Sequence, residues 1–412
     1  MQVKLAEKHR LQTYAKDSEE ILRRCVHCGF CNATCPTFQL LGDELDGPRG
    51  RIYLIKQILE GASPTLTTRK HLDRCLTCQS CETTCPSGVQ YSRLLETGRQ
   101  IHEETLSRPI KEKWLRIVLR SILLRPALFR TLLTAGHSFS FLLPAAIKKK
   151  LPPLGKSSPV AAEKTEQSKH TRTLIMLRGC AQQVCAPEIN LSARKIFNQL
   201  GFNVVESPAD QCCGALSQHN DATEEARELA RKNIDTWWPW LKQGAEGIVL
   251  TASGCATMVR EYGHLLAADS GYADKARRVA ELCRDPIEIL EIFQDQLRKK
   301  PDLADYISYQ VPCTQQHGLR IRGQVETLLS TVGFKLTQQD IGHLCCGSAG
   351  SYSVLQPALS SQLKVNKLQD LTKDTPGLIA TANIGCLLHL QSGTDIPVKH
   401  WLQLIEVDRR ER

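Results

Sequence analysis

Residues 25–36 and 75–86 repeat one pattern: Cys25-Val-His-Cys28-Gly-Phe-Cys31-Asn-Ala-Thr-Cys35-Pro36 and Cys75-Leu-Thr-Cys78-Gln-Ser-Cys81-Glu-Thr-Thr-Cys85-Pro86. Three thiols at i, i+3 and i+6 wrap a single loop around one compact object. The proline after the fourth cysteine turns the chain away. Zinc fingers and ribbons usually bring their ligands as two cysteine pairs, four ligands in all. Here each run supplies four cysteines at x2, x2, x3 spacing, and the run occurs twice.

That spacing is the run of bacterial two-cluster ferredoxins, in which two [4Fe–4S] cubanes are held and the fourth cysteine of each run ligates the other cubane. The expected ligand sets are therefore Cys25, Cys28, Cys31 and Cys85 for one cluster, and Cys35, Cys75, Cys78 and Cys81 for the second. Crossed ligation would lock the two runs together. Gly29 would let backbone amides approach the sulfurs.

The chain is long enough for two or three domains. It has 18 cysteines but a polar N-terminus without a secretory apolar core, so reduced thiols used as metal ligands in the cytoplasm are expected rather than disulfides. No uninterrupted apolar run reaches 18 residues, so no membrane-spanning helix is expected. The net charge of +10 is concentrated. Between Arg108 and Lys150 lie ten Lys or Arg residues and one acid, Glu112. Arg116, Arg120, Arg125 and Arg130 fall at roughly helical spacing with leucine, isoleucine and phenylalanine between them. Two readings follow: a basic amphipathic helix lying on an anionic membrane or docked on a partner, or a packed helix pair with a solvated basic face.

The expected fold class is α plus α/β. Residues 1–107 form an α-helical ferredoxin module, with a helix from Arg49 to Glu60 after Asp46-Gly47-Pro48. A basic helical segment follows at 108–150, then a Pro/Ser/Lys-rich linker at 151–170. Two α/β repeats follow at 171–300 and 301–412. Their landmarks recur: Cys180, Cys212-Cys213-Gly214 and Cys255, then Cys313, Cys345-Cys346-Gly347 and Cys386. Cys180 and Cys212 are 32 positions apart, as are Cys313 and Cys345. Short β-like runs precede the landmark cysteines and helical stretches separate them, which implies parallel sheets of right-handed βαβ units. Sites in such sheets form beyond the carboxyl ends of the strands. Each set of four thiols should converge there, to hold a further iron–sulfur cluster or to cycle between dithiol and disulfide. Cys185 and Cys283 have no counterparts and read as small buried hydrophobes. Trp237, Trp238 and Trp240 read as core or interface aromatics, and His27, His343 and His400 as core or surface histidines.

The duplicated Cys…Cys-Cys-Gly…Cys set resembles the CCG domains of heterodisulfide reductases and related respiratory subunits. There the motif ends in Cys-x2-Cys, whereas the corresponding positions here are Met258 and His389. From end to end, the chain resembles the iron–sulfur subunits of bacterial glycolate oxidases. The stretches that carry this are Cys25 to Cys31, Gly42 to Lys56, Asn233 to Pro239, Thr251 to Cys255, Leu344 to Gly350 and Thr381 to Cys386. The resemblance implies two [4Fe–4S] clusters and a hetero-oligomer with flavin-binding subunits. That complex would oxidise glycolate, and also D-lactate, with neither NAD nor oxygen as direct acceptor. It further implies a cytoplasmic location, peripheral on the inner face of the cell membrane, with a quinone-type acceptor.

The sequence shows no Gly-x-Gly-x-x-Gly turn and no Walker-type loop, so FAD is expected in a partner, and this chain has no catalytic residue of its own. Alternatives in the same class are the iron–sulfur subunits of lactate or glycerol-3-phosphate dehydrogenases. From other classes come a zinc-bearing nucleic-acid-binding protein and a stand-alone thiol–disulfide enzyme. The confinement of charge to one apolar-interleaved segment and the lack of a recognition motif argue against nucleic acid.

Overall fold

The computed structural model describes residues 1–142, 151–155 and 171–408. The expected linker falls mostly outside them, as do Lys148 to Lys150. The four longest helices of the N-terminal module are α1 (Ala15–Arg24), α2 (Pro48–Leu59), α3 (Leu66–Asp73) and α4 (Tyr91–Thr105). Pro48 opens α2 at a position where its missing N–H costs nothing. The side chain of Thr65 caps α3 by accepting from the Thr68 amide. Ile21 and Leu22 of α1, Ile52, Ile55 and Leu59 of α2, and Leu94, Leu95 and Ile101 of α4 form one buried cluster. Each contributes about 1.5–3 kcal/mol by leaving water. Gly98 is needed at the α2–α4 crossing, where a Cβ would lie 2.7 Å from Ile55 Cγ1.

Helices α5 (Ile110–Leu123) and α6 (Pro126–Ser138) follow as a hairpin. Their arginines depart from both sequence expectations, which placed them against a membrane or partner, or in solvent. Arg116 is only 6% exposed. With Arg108 it enters a carboxylate network made by Asp73, Glu112 and Asp221. Arg120 pairs with Glu225, and Arg130 donates to the Gln183 carbonyl at 2.8 Å. Of Arg116, Arg120, Arg125 and Arg130, Arg125 alone is exposed. The buried acids recruit the guanidiniums because charge inside a fold must be paired.

Two four-stranded, all-parallel sheets make up the remainder. The first contains β1 (Arg172–Met176), β2 (Phe202–Val205), β3 (Gly247–Val249) and β4 (Cys283–Arg284), in the order β2-β1-β3-β4. After β5 (Leu297–Lys299), the second contains β6 (Tyr306–Gln310), β7 (Lys335–Leu336), β8 (Leu378–Thr381) and β9 (Val398–His400), in the equivalent order β7-β6-β8-β9. The direction of winding reverses between β1 and β3, and again between β6 and β8. Open sheets place sites at such switch points. The final strand, β10 (Ile405–Val407), pairs antiparallel with β5, Val407 opposite Leu297. One core then runs through both repeats, with Phe197, Ile248 and Trp237 in the same cluster as Tyr309, Leu329 and Trp401.

Candidate iron–sulfur sites

In both N-terminal runs the residues on either side of the second cysteine bend into the left-handed region. His27 and Gly29 have φ of 60° and 88°, Thr77 and Gln79 of 53° and 60°. Such alternation turns successive backbone N–H groups toward one centre, as in anion-binding nests. The Thr77 amide donates to Cys75 Sγ at 3.4 Å. The two loops and the Cys-Pro corners enclose two neighbouring cavities. Cys25, Cys28, Cys31 and Cys85 line one, with Cys81 also reaching its wall. Cys35, Cys75, Cys78 and Cys81 line the other.

Burial makes these thiols expensive to ionise on their own. Burial pushes Cys31 up to about 11, and Cys78 and Cys81 well above the ordinary thiol value. Soft thiolate donors, four to a cavity, fit an iron–sulfur cubane. The surrounding charges fit it too. Arg51, 1% exposed, lines the second cavity. Burial works against its charge, but Cys75, Tyr91, Cys35 and Asp46 hold its pKa above the ordinary arginine value. It donates through Nε to the His71 carbonyl at 2.7 Å and through Nη2 to Thr37 at 3.1 Å. Asp46 gathers Arg51, His71 and Arg74 around one carboxylate. Arg49 lines the first cavity, held by Glu44 at 2.7 Å, and that carboxylate also accepts from Asn32 at 2.9 Å. Cysteine spacing gives no sign of Arg49 and Arg51, although both lie in the Asp46-Gly-Pro-Arg-Gly-Arg stretch that carries the family resemblance.

The repeat thiols converge as sets. Cys180 Sγ lies 3.5 Å from Cys212 Sγ, and Cys313 Sγ lies 3.7 Å from Cys345 Sγ. Cys346 Sγ is 3.2 Å from Cys386 Sγ, and in the first repeat Cys213 interacts with Cys255. The glycines after the cysteine pairs, Gly214 and Gly347, have φ of 93° and 87°. The second set also has a buried cation: Lys367, 1% exposed, donates to the carbonyls of Ile341 and Gly342. Burial lowers its pKa, while the thiols of Cys346, Cys345 and Cys386 act to raise it. Asn383 ties the sets together, accepting from the Gly254 amide at 3.4 Å and donating to Cys386 Sγ at 3.6 Å.

The second set also abuts the N-terminal module. Cys78 and Cys313 both pack against a cluster of Leu76, Cys345, Tyr352 and Leu363. Tyr352 donates to the Arg74 carbonyl at 3.0 Å. His317 bonds Thr83 through Nδ1 at 2.7 Å and the His343 carbonyl through Nε2 at 3.0 Å. By contrast Cys28 is exposed, with Val26 and Phe30 exposed beside it. Cys185 packs with Leu133 and Val184, and Cys283 lies in the shared core. Trp237 is buried and donates to Asp210 at 3.0 Å, whereas Trp240 is 36% exposed and Trp238 lies beside Lys275. His389 lies against Ser360, and Met258 Cε would lie 3.4 Å from a Cβ built on Gly214.

A 4Fe-4S dicluster domain matches residues 21–89, and a cysteine-rich domain matches twice, at 174–260 and 307–391. The chain is therefore an iron–sulfur electron-transfer protein with a dicluster module and a duplicated cysteine-rich domain. Over 407 residues, 98% of each chain, it is 47% identical to the glycolate oxidase iron-sulfur subunit of Escherichia coli (strain K12). It belongs to the family of glycolate oxidase iron–sulfur subunits. A probable glycolate oxidase iron-sulfur subunit of Bacillus subtilis (strain 168) is 28% identical, covering 92% of this chain and 90% of that one. Lactate utilization protein A of Anoxybacillus flavithermus is 27% identical, over 51% of this chain and 89% of its own length. Among solved structures, a hypothetical protein from Helicobacter pylori shares the fold, with a TM-score of 0.55 at 10% identity, covering 97% of this chain and 72% of that one.

Proposed function

We propose that this chain is the electron-transfer subunit of a flavin-dependent complex that oxidises glycolate, and also D-lactate. Converting glycolate to glyoxylate removes two electrons and two protons, chemistry that belongs to FAD in a partner subunit. Cys25, Cys28, Cys31 and Cys85 would hold one [4Fe–4S] cluster, and Cys35, Cys75, Cys78 and Cys81 the other. When bound, such clusters carry electrons one at a time, which lets a two-electron flavin be reoxidised in single steps. The observation that carries this reading is the opposed exposure of the two cavities. Cys28 opens to the surface, and Cys78 faces the thiols of the second repeat.

The chain's own residues therefore give the module a direction. The rim of Val26, Cys28 and Phe30 receives the flavin partner, and the interface around Tyr352 leads inward to Cys313, Cys345, Cys346 and Cys386. These, with Cys180, Cys212, Cys213 and Cys255, form a further thiol-based redox or cluster station. The terminal acceptor is a membrane quinone-type molecule, with the complex peripheral on the inner face of the cell membrane. The similarity to lactate utilization proteins supports a second reading, a lactate dehydrogenase complex of the same build.

Serine replacement of Cys28 or Cys78 in the assembled complex is the test. Flavin reduction by glycolate should survive, while steady-state reduction of a quinone analogue collapses. Unchanged turnover overturns the relay. Faster turnover on lactate than on glycolate selects the second reading.

A further inference from the structure

With Arg116, Arg120 and Arg130 folded inward, α5 and α6 present an apolar face to solvent. Ile110, Trp114 and Val118 follow helical spacing along α5 and are 76%, 62% and 44% exposed. Leu128 and Leu132 of α6 are exposed as well, and so is Phe139 immediately after it. The opposite side of the hairpin is already occupied. Leu133 and Phe129 pack on Val184 and Cys185, and Arg116 and Arg120 are engaged by Asp221 and Glu225. Exposed apolar side chains grouped in this way mark an interaction surface.

The charges around the face select its occupant. Glu112, the single acid of the segment, is drawn inward to Arg108 and Arg116. The charged residues left exposed on the hairpin, Lys111, Lys113 and Arg125, are all cationic. Large apolar side chains, a tryptophan among them, flanked only by cations are the composition of a helix that lies in the headgroup boundary of an anionic leaflet. An apolar subunit interface gives no reason for such one-sided charge. We infer that the α5–α6 hairpin is the membrane-docking element: its apolar face enters the leaflet while Lys111, Lys113 and Arg125 meet anionic headgroups. The inference rests on the peripheral membrane location proposed above. It changes which side chains meet the leaflet from those expected from sequence, because Arg116, Arg120 and Arg130 hold the hairpin to the protein.

The test uses the full chain, purified anaerobically, and vesicles of phosphatidylglycerol and phosphatidylcholine or of phosphatidylcholine alone. Wild-type protein should sediment with the anionic vesicles, and the fluorescence difference between it and Trp114→Phe should shift to the blue on binding. Trp114→Glu with Leu132→Glu should weaken sedimentation by roughly tenfold or more. Lys111→Gln with Lys113→Gln should weaken it on anionic vesicles only. Iron–sulfur absorbance and the melting temperature report whether each variant is folded. Should wild-type protein ignore anionic vesicles, or the double glutamate variant sediment undiminished, the inference is overturned. It is likewise overturned if the glutamate variant keeps its vesicle binding but no longer assembles with the flavin subunits, since the face is then a subunit interface. Fractionation of the assembled complex separates the two levels. Wild-type complex that never accompanies membranes removes the location itself, whereas membrane-bound complex unaffected by the substitutions removes only this surface.

Discussion

Arg108 Nη2 lies 2.8 Å from Asp221 Oδ2, across 113 residues of chain, and this contact ties the dicluster module to the first repeat. Arg116 reaches the same oxygen at 3.2 Å. Asp73, from the end of α3, closes the network on Arg108 at 2.6 Å. The side chains of both arginines and both aspartates are less than a tenth exposed. Removing one partner from such a group leaves buried charge unmatched.

Asp221→Asn should therefore cost about 3 kcal/mol, the low end for a broken buried pair, because Asp73 and Glu112 remain. Asp274→Asn, which breaks an exposed pair with Arg277, should leave the denaturation midpoint unchanged. Burial pushes the Asp73 carboxyl up, but hydrogen bonding and charge from Arg108 outweigh it and the net shift is downward. Its contribution is thus present at neutral pH and lost as pH falls below about 4. Chemical denaturation of both variants checks the first two statements, and melting of wild type and Asp73→Asn followed against pH checks the third.

His400 predicts a loss of stability in acid that begins at higher pH. Its Nε2 donates to the Thr251 carbonyl at 2.8 Å, and its Nδ1 accepts from the Leu402 amide at 3.3 Å. The neutral ring satisfies both contacts, so a second proton would destroy the acceptor. Burial lowers its pKa to about 4. Below about pH 6.5 the unfolded chain takes up a proton that the fold refuses, so stability falls as pH drops from there to about 4. The slope approaches about 1.4 kcal/mol per pH unit for each such histidine. His400→Gln should flatten the dependence of the denaturation midpoint between pH 6.5 and 4; an unchanged slope would show that His400 takes up no extra proton on unfolding.

What could be read from sequence was local or repeated. The helix expected from Arg49 to Glu60 forms over Pro48–Leu59, because hydrophobic periodicity and turn residues are written along the segment itself. The repeated 32-residue cysteine interval foretold two convergent thiol sets. Long-range pairings left no such trace. Arg116 meets Asp221 across 105 residues, and β5 meets β10 across more than a hundred. Periodicity marks the two faces of a helix but does not say which one meets water when acids elsewhere compete for its cations. Lys367 was equally silent, since a lysine in a helix reads as solvated until its neighbours are known.

Arg51 should set the reduction potential beside Cys35, Cys75, Cys78 and Cys81. A buried cation favours the more negative, reduced form of a cluster, and exposure to water weakens that effect. Arg51→Gln should lower the potential of one cluster clearly, whereas Arg49→Gln, at a more exposed position beside Cys28 and Cys31, should lower the other by less. EPR-monitored redox titration of the two variants resolves both shifts, and equal shifts would refute the dependence on burial.

The two glycines that follow the paired cysteines differ in what they exclude. Both are left-handed, so a side chain at either strains the backbone by about 1–2 kcal/mol. At Gly214 an added Cβ would find its nearest atom, the Ala226 carbonyl oxygen, at 3.3 Å, and the flexible Met258 methyl at 3.4 Å. At Gly347 it would lie 2.7 Å from the Ser360 carbonyl oxygen and 2.8 Å from Leu363 Cβ, both fixed by a helix. The Ser360 hydroxyl also donates to the Gly347 carbonyl at 2.7 Å, so the helix cannot retreat without losing that bond. Gly214→Ala should thus cost little more than the backbone strain, while Gly347→Ala adds an overpacking penalty of about 1–3 kcal/mol. Denaturation midpoints of the two variants give the comparison directly. Equal losses would mean that the cysteine-rich repeats need glycine for its backbone alone.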